Sequence, residues 1–189
     1  IEYDVFDMRL GYKSSLLIQR IKSFNPDLVG ISMRTPLYRR QYEIIKEIRK
    51  LCGENFPIIL RFSQWKMHDF DAKLAKTPDE LQRFLAPLVQ AAVDIFHCST
   101  RRFWEPEFEG SDLNLAGWAK KITGLPTISV GSVGLNEEFV TTYSGGTAEV
   151  SGIDELIRRM ENEEFDLIAV GRANISNADW VNQVKNGNF

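Results

Sequence analysis

The chain is poor in the residues that build metal sites and disulfide scaffolds. Its 189 residues include only two cysteines, Cys52 and Cys98, and two histidines, His68 and His97. Distant cysteines without ligand spacing exclude a zinc motif and a disulfide framework, and the expectation is a reducing, cytoplasmic compartment. Long hydrophobic runs are missing too. No stretch approaches the roughly 20 apolar residues of a membrane span, and no secretory leader is legible. A charge surplus is also lacking, since the net charge is only -3. Residues 1–53 hold ten Lys/Arg against six Asp/Glu, and residues 54–189 hold thirteen against twenty. Neither part is basic enough for nucleic acid, and the positive charges spread along helical stretches as solvated faces do. Membrane and nucleic-acid partners are therefore not expected.

What is present is an ordinary globular composition, 43% hydrophobic and 26% charged, with enough length for one large domain or two small ones. Strand-like and helix-like stretches alternate, which predicts an α/β fold on a parallel sheet. Six strands are expected, at Tyr3–Asp7, Leu28–Met33, Pro57–Phe62, Val93–Cys98, from Thr127, and at Leu167–Val170. Helices are expected between them. One starts at a Ser14 or Ser15 cap, and one runs from about Leu37 with Tyr42, Ile45, Ile48 and Cys52 on a stripe. Another opens at Thr77-Pro78-Asp79-Glu80 as a capping box. The remaining three lie near Leu115–Ile122, Ile153–Met160 and Trp180–Lys185. The aromatic-rich loop from Arg101 to Asp112 reads as a lid over a ligand or as cover for a strand edge. The chain opens on Ile1 inside a strand-like run, as expected of a fragment, a processed product or a trimmed chain.

Two strand ends share one design. Pro126-Thr-Ile-Ser-Val-Gly-Ser-Val-Gly134 and Phe165-Asp-Leu-Ile-Ala-Val-Gly-Arg172 each run apolar into a glycine, followed by Ser132 in one and Arg172 in the other. Glycine at such an end lets backbone N–H groups approach a ligand, and a guanidinium beside it favours a phosphate. The plainer reading is that Gly131 and Gly171 serve strand-to-helix turns.

From about residue 54 onward the chain resembles the old yellow enzyme family of FMN-dependent oxidoreductases. The residues that carry this are Leu60-Arg-Phe-Ser-Gln-Trp-Lys66, Asp94-Ile-Phe-His-Cys-Ser-Thr-Arg-Arg-Phe-Trp104, Leu115-Ala-Gly-Trp-Ala-Lys120, Val130-Gly-Ser-Val-Gly134 and Ala169-Val-Gly-Arg172. The resemblance implies the last four β/α units of a (β/α)₈ barrel. It also implies a flavin phosphate on Gly131, Ser132, Gly171 and Arg172, with Arg61 at the N1/O2 edge of the flavin ring. A fixed cation there stabilises the anionic reduced flavin. A buried ion pair with a barrel carboxylate is the other use for Arg61.

Residues 1–53, through Ile21-Lys-Ser-Phe-Asn-Pro-Asp-Leu-Val-Gly-Ile-Ser-Met33, resemble the flavodoxin-like cobalamin-binding domains, with Ser32 and Thr35 at the positions of the cobalamin tail loop. The Asp-x-His-x-x-Gly ligand motif is absent, so cobalamin itself is not expected. The two resemblances together suggest a chimera, designed or recombined, with its seam between Ile44 and Pro57 and both parts in one continuous fold. The architecture expected is an open flavodoxin-like sheet or an incomplete barrel, with an edge that invites a second copy. Old-yellow-type chemistry uses a His pair, or His and Asn, and a Tyr on strands that this chain lacks. His97 reads as a packed core residue and His68 as a solvent-exposed loop residue. The function expected is FMN or phosphate binding with weak or lost catalysis. The alternatives are an inactive scaffold and a cobalamin-binding module.

Overall fold

The computed structural model describes residues 2–7, 12–32, 38–66, 69, 71–137 and 144–188, with side chains at 38–41 left out. Met33, Thr35, Leu37 and His68 lie outside the described residues. The elements run α1 (Ser14–Phe24), β1 (Val29–Ser32), α2 (Tyr38–Cys52), β2 (Ile58–Ser63), α3 (Pro78–Gln90) and β3 (Ile95–Ser99). They continue as α4 (Leu115–Thr123), β4 (Thr127–Val130), α5 (Asp154–Glu161), β5 (Leu167–Ala169), α6 (Arg172–Ser176) and α7 (Trp180–Lys185).

Helix ends follow local chemistry. Thr77 accepts the Glu80 N–H at 3.2 Å to open α3, with Pro78 in the first turn. The Glu80 carboxylate reaches back to the Lys76 N–H at 2.7 Å. Asn114 caps α4 by accepting the Gly117 N–H at 2.9 Å, and Gly124 ends that helix in the left-handed region. The cap expected at Ser14 or Ser15 is not used. Lys13 holds the N-cap position without a side-chain bond, and the serines lie inside α1.

The five strands are parallel and lie in chain order, β1-β2-β3-β4-β5. A flavodoxin-like sheet reverses its order; this one does not, which selects the incomplete barrel of the two architectures expected. With right-handed crossovers, chain order sends every connecting helix to the same face. Burial alternates accordingly. Ile58, Leu60, Phe62, Phe96, Cys98, Thr127 and Ser129 are buried under the helices, while their alternating neighbours are half-buried or exposed on the open face. The register sets these in rows across the open face. Ser32, Arg61, His97, Ile128 and Leu167 form one row, and Ser63, Ser99, Val130 and Ala169 the next.

Five strands stand among the described residues where six were expected. Residues 2–7 join no ladder, and Tyr3 and Val5 are 81% and 78% exposed. Alternating apolar residues suit a strand, but a strand also needs a partner. Here the segment is tied instead by the Asp4–Arg20 ion pair at 2.5 Å.

One core cluster spans the chain. Ile21, Ile44, Ile45 and Ile48 of the first two helices share it with Ile58, Leu60 and Phe96 of the sheet and Leu156 of α5. Phe62 packs against Phe84 with tilted rings at 5.3 Å and meets Phe96 edge-on at 6.1 Å. At the foot of the sheet, Arg49 donates to the carbonyls of Gly53, Phe56 and Ala92 at 2.7, 2.6 and 2.9 Å and to the Asp94 carboxylate. Asp94 in turn accepts the Ile58 N–H at 2.7 Å. This knot joins α2 to the starts of β2 and β3.

Candidate functional site

The site forms at the opposite end, where β2 to β5 finish. Arg61 follows Leu60 and precedes Phe62, so the alternation that buries those two turns it to the open face. Its guanidinium lies 3.2 Å from His97 Nε2 and donates to Ser99 Oγ at 3.0 Å. Among the described residues it has no carboxylate partner, so the buried ion pair considered for it is not formed. Partial burial lowers its pKa from the ordinary value.

His97 is a correction to the sequence reading. Phe96 and Cys98, its neighbours, enter the core, and His97 faces the open side against Arg61. Desolvation first, and the Arg61 charge second, push its pKa down to about 4. It is therefore neutral near pH 7. A guanidinium only donates, so Nε2 accepts and the ring proton sits on Nδ1.

The second element is the loop after β4. Gly131 has φ of 144°, and a Cβ there would come within 2.8 Å of the Thr100 carbonyl and 2.9 Å of Arg101 backbone atoms. Only glycine fits, and the reason is chain packing rather than ligand approach. Gly171 differs: a Cβ at this residue would meet nothing within 4 Å. Ser132 holds φ of 50°, an unusual conformation for a side-chain-bearing residue. Its hydroxyl is within 3.1 Å of the Arg101 carbonyl and 3.0 Å of the Glu137 carbonyl, and accepts from Arg172 Nη2 at 3.1 Å. Arg172 also donates to the Glu137 carbonyl at 2.6 Å. The two predicted strand ends are thus bonded to each other through Ser132 and Arg172.

A cavity of about 240 Å³ lies between these elements, and Arg61, Gly131, Ser132, Gly171 and Arg172 all line it. Trp65, Ser99, Thr100 and Arg101 complete its near wall, and the described residues around it include three arginines and no carboxylate. A smaller cavity of about 110 Å³ adjoins it, sharing Trp65, Ser99, Thr100 and Arg101. Sequence reasoning missed Trp65, Ser99, Thr100 and Arg101. The signal for Ser99 was available, because period two from Arg61 across the register points to it.

The aromatic loop is not a free lid. Phe103 and Phe108 are 4% and 8% exposed, and Phe108 meets Trp118 of α4 edge-on at 5.4 Å. Fully buried Asn114 donates to the Phe103 carbonyl at 2.6 Å and to Ser129 Oγ at 3.1 Å. Arg159, 4% exposed, donates to the Trp104 and Asp112 carbonyls and forms a two-pronged pair with Glu164 at 2.7 and 2.8 Å. The loop is pinned at both ends and holds the wall of both cavities. No cluster of His, Cys, Asp or Glu among the described residues has metal-site geometry, and no described helix is long and apolar enough to cross a membrane.

No family model matches the chain. A curated protein described as NADH oxidase, from Thermoanaerobacter brockii, is 29% identical over 163 residues, covering 82% of this chain and 21% of that protein. The chain therefore spans about a fifth of that relative's length. The share matched exceeds everything downstream of Ile44, so the likeness runs across the expected seam. Neither the chimera nor the cobalamin-type resemblance gains support from it. Among solved structures, histamine dehydrogenase from Rhizobium sp. 4-9 aligns over 93% of this chain and 27% of its own, at 16% identity and a TM-score of 0.60. A variant of NCR from Zymomonas mobilis aligns over 93% and 56%, at 12% and 0.61. A morphinone reductase variant in complex with tetrahydroNAD aligns over 93% and 48%, at 14% and 0.58. At these identities the likeness is one of fold: an open parallel α/β sheet similar to part of the barrel in larger enzymes.

Proposed function

We propose that the rim cavity is a flavin mononucleotide seat in a protein of oxidoreductase descent. The observation that carries this reading is the cavity at the strand ends, lined by three arginines and no described carboxylate, in a chain similar to a protein described as NADH oxidase. The donor set fits the group. Arg172 and the Ser132 hydroxyl, already mutually bonded, suit a phosphate at one end. Arg61, desolvated and without a described carboxylate, suits the electron-rich edge of the ring at the other. Gly171, open on its Cβ side, permits close approach of the ligand to the backbone.

When bound, the flavin supplies hydride-transfer chemistry. This chain's residues hold and bias it. Arg61 would offer a fixed positive charge to the flavin ring, and such a charge favours the reduced state. Neutral His97 orients Arg61 through Nε2 without adding a competing charge. The described residues lining the two cavities include no histidine or tyrosine to hold a substrate carbonyl or deliver its proton. Substrate turnover is accordingly expected to be weak, with binding the retained property.

Titration of FMN into the purified protein tests this. A shift of the visible flavin bands that saturates at one equivalent, reversed by excess inorganic phosphate, is the expected result. An unchanged flavin spectrum at millimolar protein contradicts it.

A further inference from the structure

The smaller cavity has its own recognition group. Glu107 sits on the pinned loop, its N–H bonded to the Leu113 carbonyl at 3.0 Å. Gln64, 5% exposed, is locked to the Ala75 backbone through both ends of its amide, at 2.8 and 2.7 Å. Its remaining N–H donates to Glu107 Oε1 at 3.0 Å, and the Lys73 ammonium donates to the same oxygen. Both donors thus converge on Oε1. Glu107 Oε2 has no hydrogen-bond partner among the described residues.

The result is a carboxylate held rigidly through one oxygen on the lining of a cavity of about 110 Å³, its second oxygen without a hydrogen-bond partner among the described residues. Arg101 and Arg102 border the same cavity, and Arg102 is paired at 2.8 Å with Glu105, which lines it too. A ligand that donates to Glu107 while presenting an acceptor to the cationic side satisfies both. A carboxylate ligand would be repelled by Glu107 and Glu105, and an ammonium by Arg101 and Lys73, which line the same cavity. A neutral primary carboxamide has the matching pair, N–H donors and a carbonyl acceptor on one planar group.

We propose that the smaller cavity is a carboxamide-recognition subsite, read by Glu107 and opening onto the larger cavity along Ser99 and Thr100. It stands whatever occupies the larger cavity. The charged groups around Glu107 are Lys73, which lowers its pKa, and Glu105, which raises it, with Arg101 and Arg102 on the cavity wall. Burial is the largest influence and leaves Glu107 above the ordinary carboxylate value. Binding therefore weakens as the pH falls and Glu107 takes up its proton, because Oε2 then ceases to be a pure acceptor.

Ligand-observed NMR with benzamide and benzoate tests the subsite on the full chain. Wild-type protein is expected to bind benzamide at least tenfold more tightly than benzoate. Glu107→Gln keeps an oxygen for Lys73 and Gln64 and turns an N–H toward the cavity, so the preference is expected to vanish or reverse. Benzamide failing to bind wild type, or the same preference in a folded Glu107→Gln protein, overturns the subsite. Lys73→Met is the second arm: removing the ammonium raises the Glu107 pKa, and loss of benzamide on acidification should begin at higher pH. An unchanged pH profile also overturns it. Flavin absorbance read in the same samples separates this from the FMN seat: benzamide bound without FMN leaves the subsite and removes the seat.

Discussion

Arg49 and Arg61 lie at opposite ends of one sheet and are treated in opposite ways. At the foot, Arg49 is enclosed by backbone carbonyls and the Asp94 carboxylate, with only 13% of its side chain exposed. At the rim, Arg61 has a neutral histidine and a hydroxyl, and no described carboxylate. Arg159, behind the rim, belongs with the foot: every direction of its guanidinium is filled, by Glu155, Glu164 and two carbonyls. A charge that serves the fold is saturated by the fold. One left half-satisfied in a cavity is suited to a ligand.

Mutations sharpen that contrast, beginning with stability. Arg159→Met leaves the 8%-exposed Glu164 carboxylate without its cationic partner, with only the Asn114 N–H still donating to it, and should cost about 3–5 kcal/mol in urea unfolding. Arg49→Met should cost less, roughly 1–3 kcal/mol, because Asp94 keeps access to water. Arg61→Met should leave unfolding within about 1 kcal/mol of wild type, because Arg61 is an exposed residue of β2 with no ion pair among the described residues to lose. A loss at Arg61 as large as that at Arg159 would break the contrast.

The two glycines give a second pair. Gly131→Ala drives a methyl into the Thr100 and Arg101 backbone and should destabilise by about 1–3 kcal/mol, whereas Gly171→Ala should stay within about 1 kcal/mol. Thermal melts of both variants check this. For ligand binding, Arg172→Gln removes a charge-assisted bond worth about 1.5–3 kcal/mol, so the FMN dissociation constant should rise about 10- to 100-fold.

A further contrast concerns pH. The folded-state pKa of His97 lies at about 4, below its ordinary 6.5, so the unfolded chain takes up the proton first. Stability should hold above pH 6.5 and fall as the pH drops toward 4. In His97→Asn that fall should be shallower. Equal slopes in the two proteins would contradict the lowered His97 pKa.

Much of this was legible in the sequence. The strands at Leu28, Pro57, Val93, Thr127 and Leu167 form within one or two residues of their expected places, because buried parallel strands read as apolar runs between turn residues. The Thr77 cap reads directly from residue types. Tyr3–Asp7 misled because a strand pattern states which face would be buried and not whether a partner strand exists. His97 misled for a related reason: alternation shows that it opposes Phe96, but only the strand order shows that the other face is open. Short α6 had no periodicity to reveal it. The five residues named from the paired strand ends and the Arg61 strand line one cavity because strands in parallel register finish at one end of the sheet.

The seat itself is tested most directly by the phosphorus resonance of FMN. On addition of wild-type protein the ³¹P signal should shift and broaden, and at the same protein concentration Arg172→Gln should produce a much smaller change. Arg61→Gln should preserve it while altering the flavin absorption bands. A phosphorus signal unmoved by the wild-type protein, or moved equally by Arg172→Gln, contradicts the phosphate seat at the joined ends of β4 and β5.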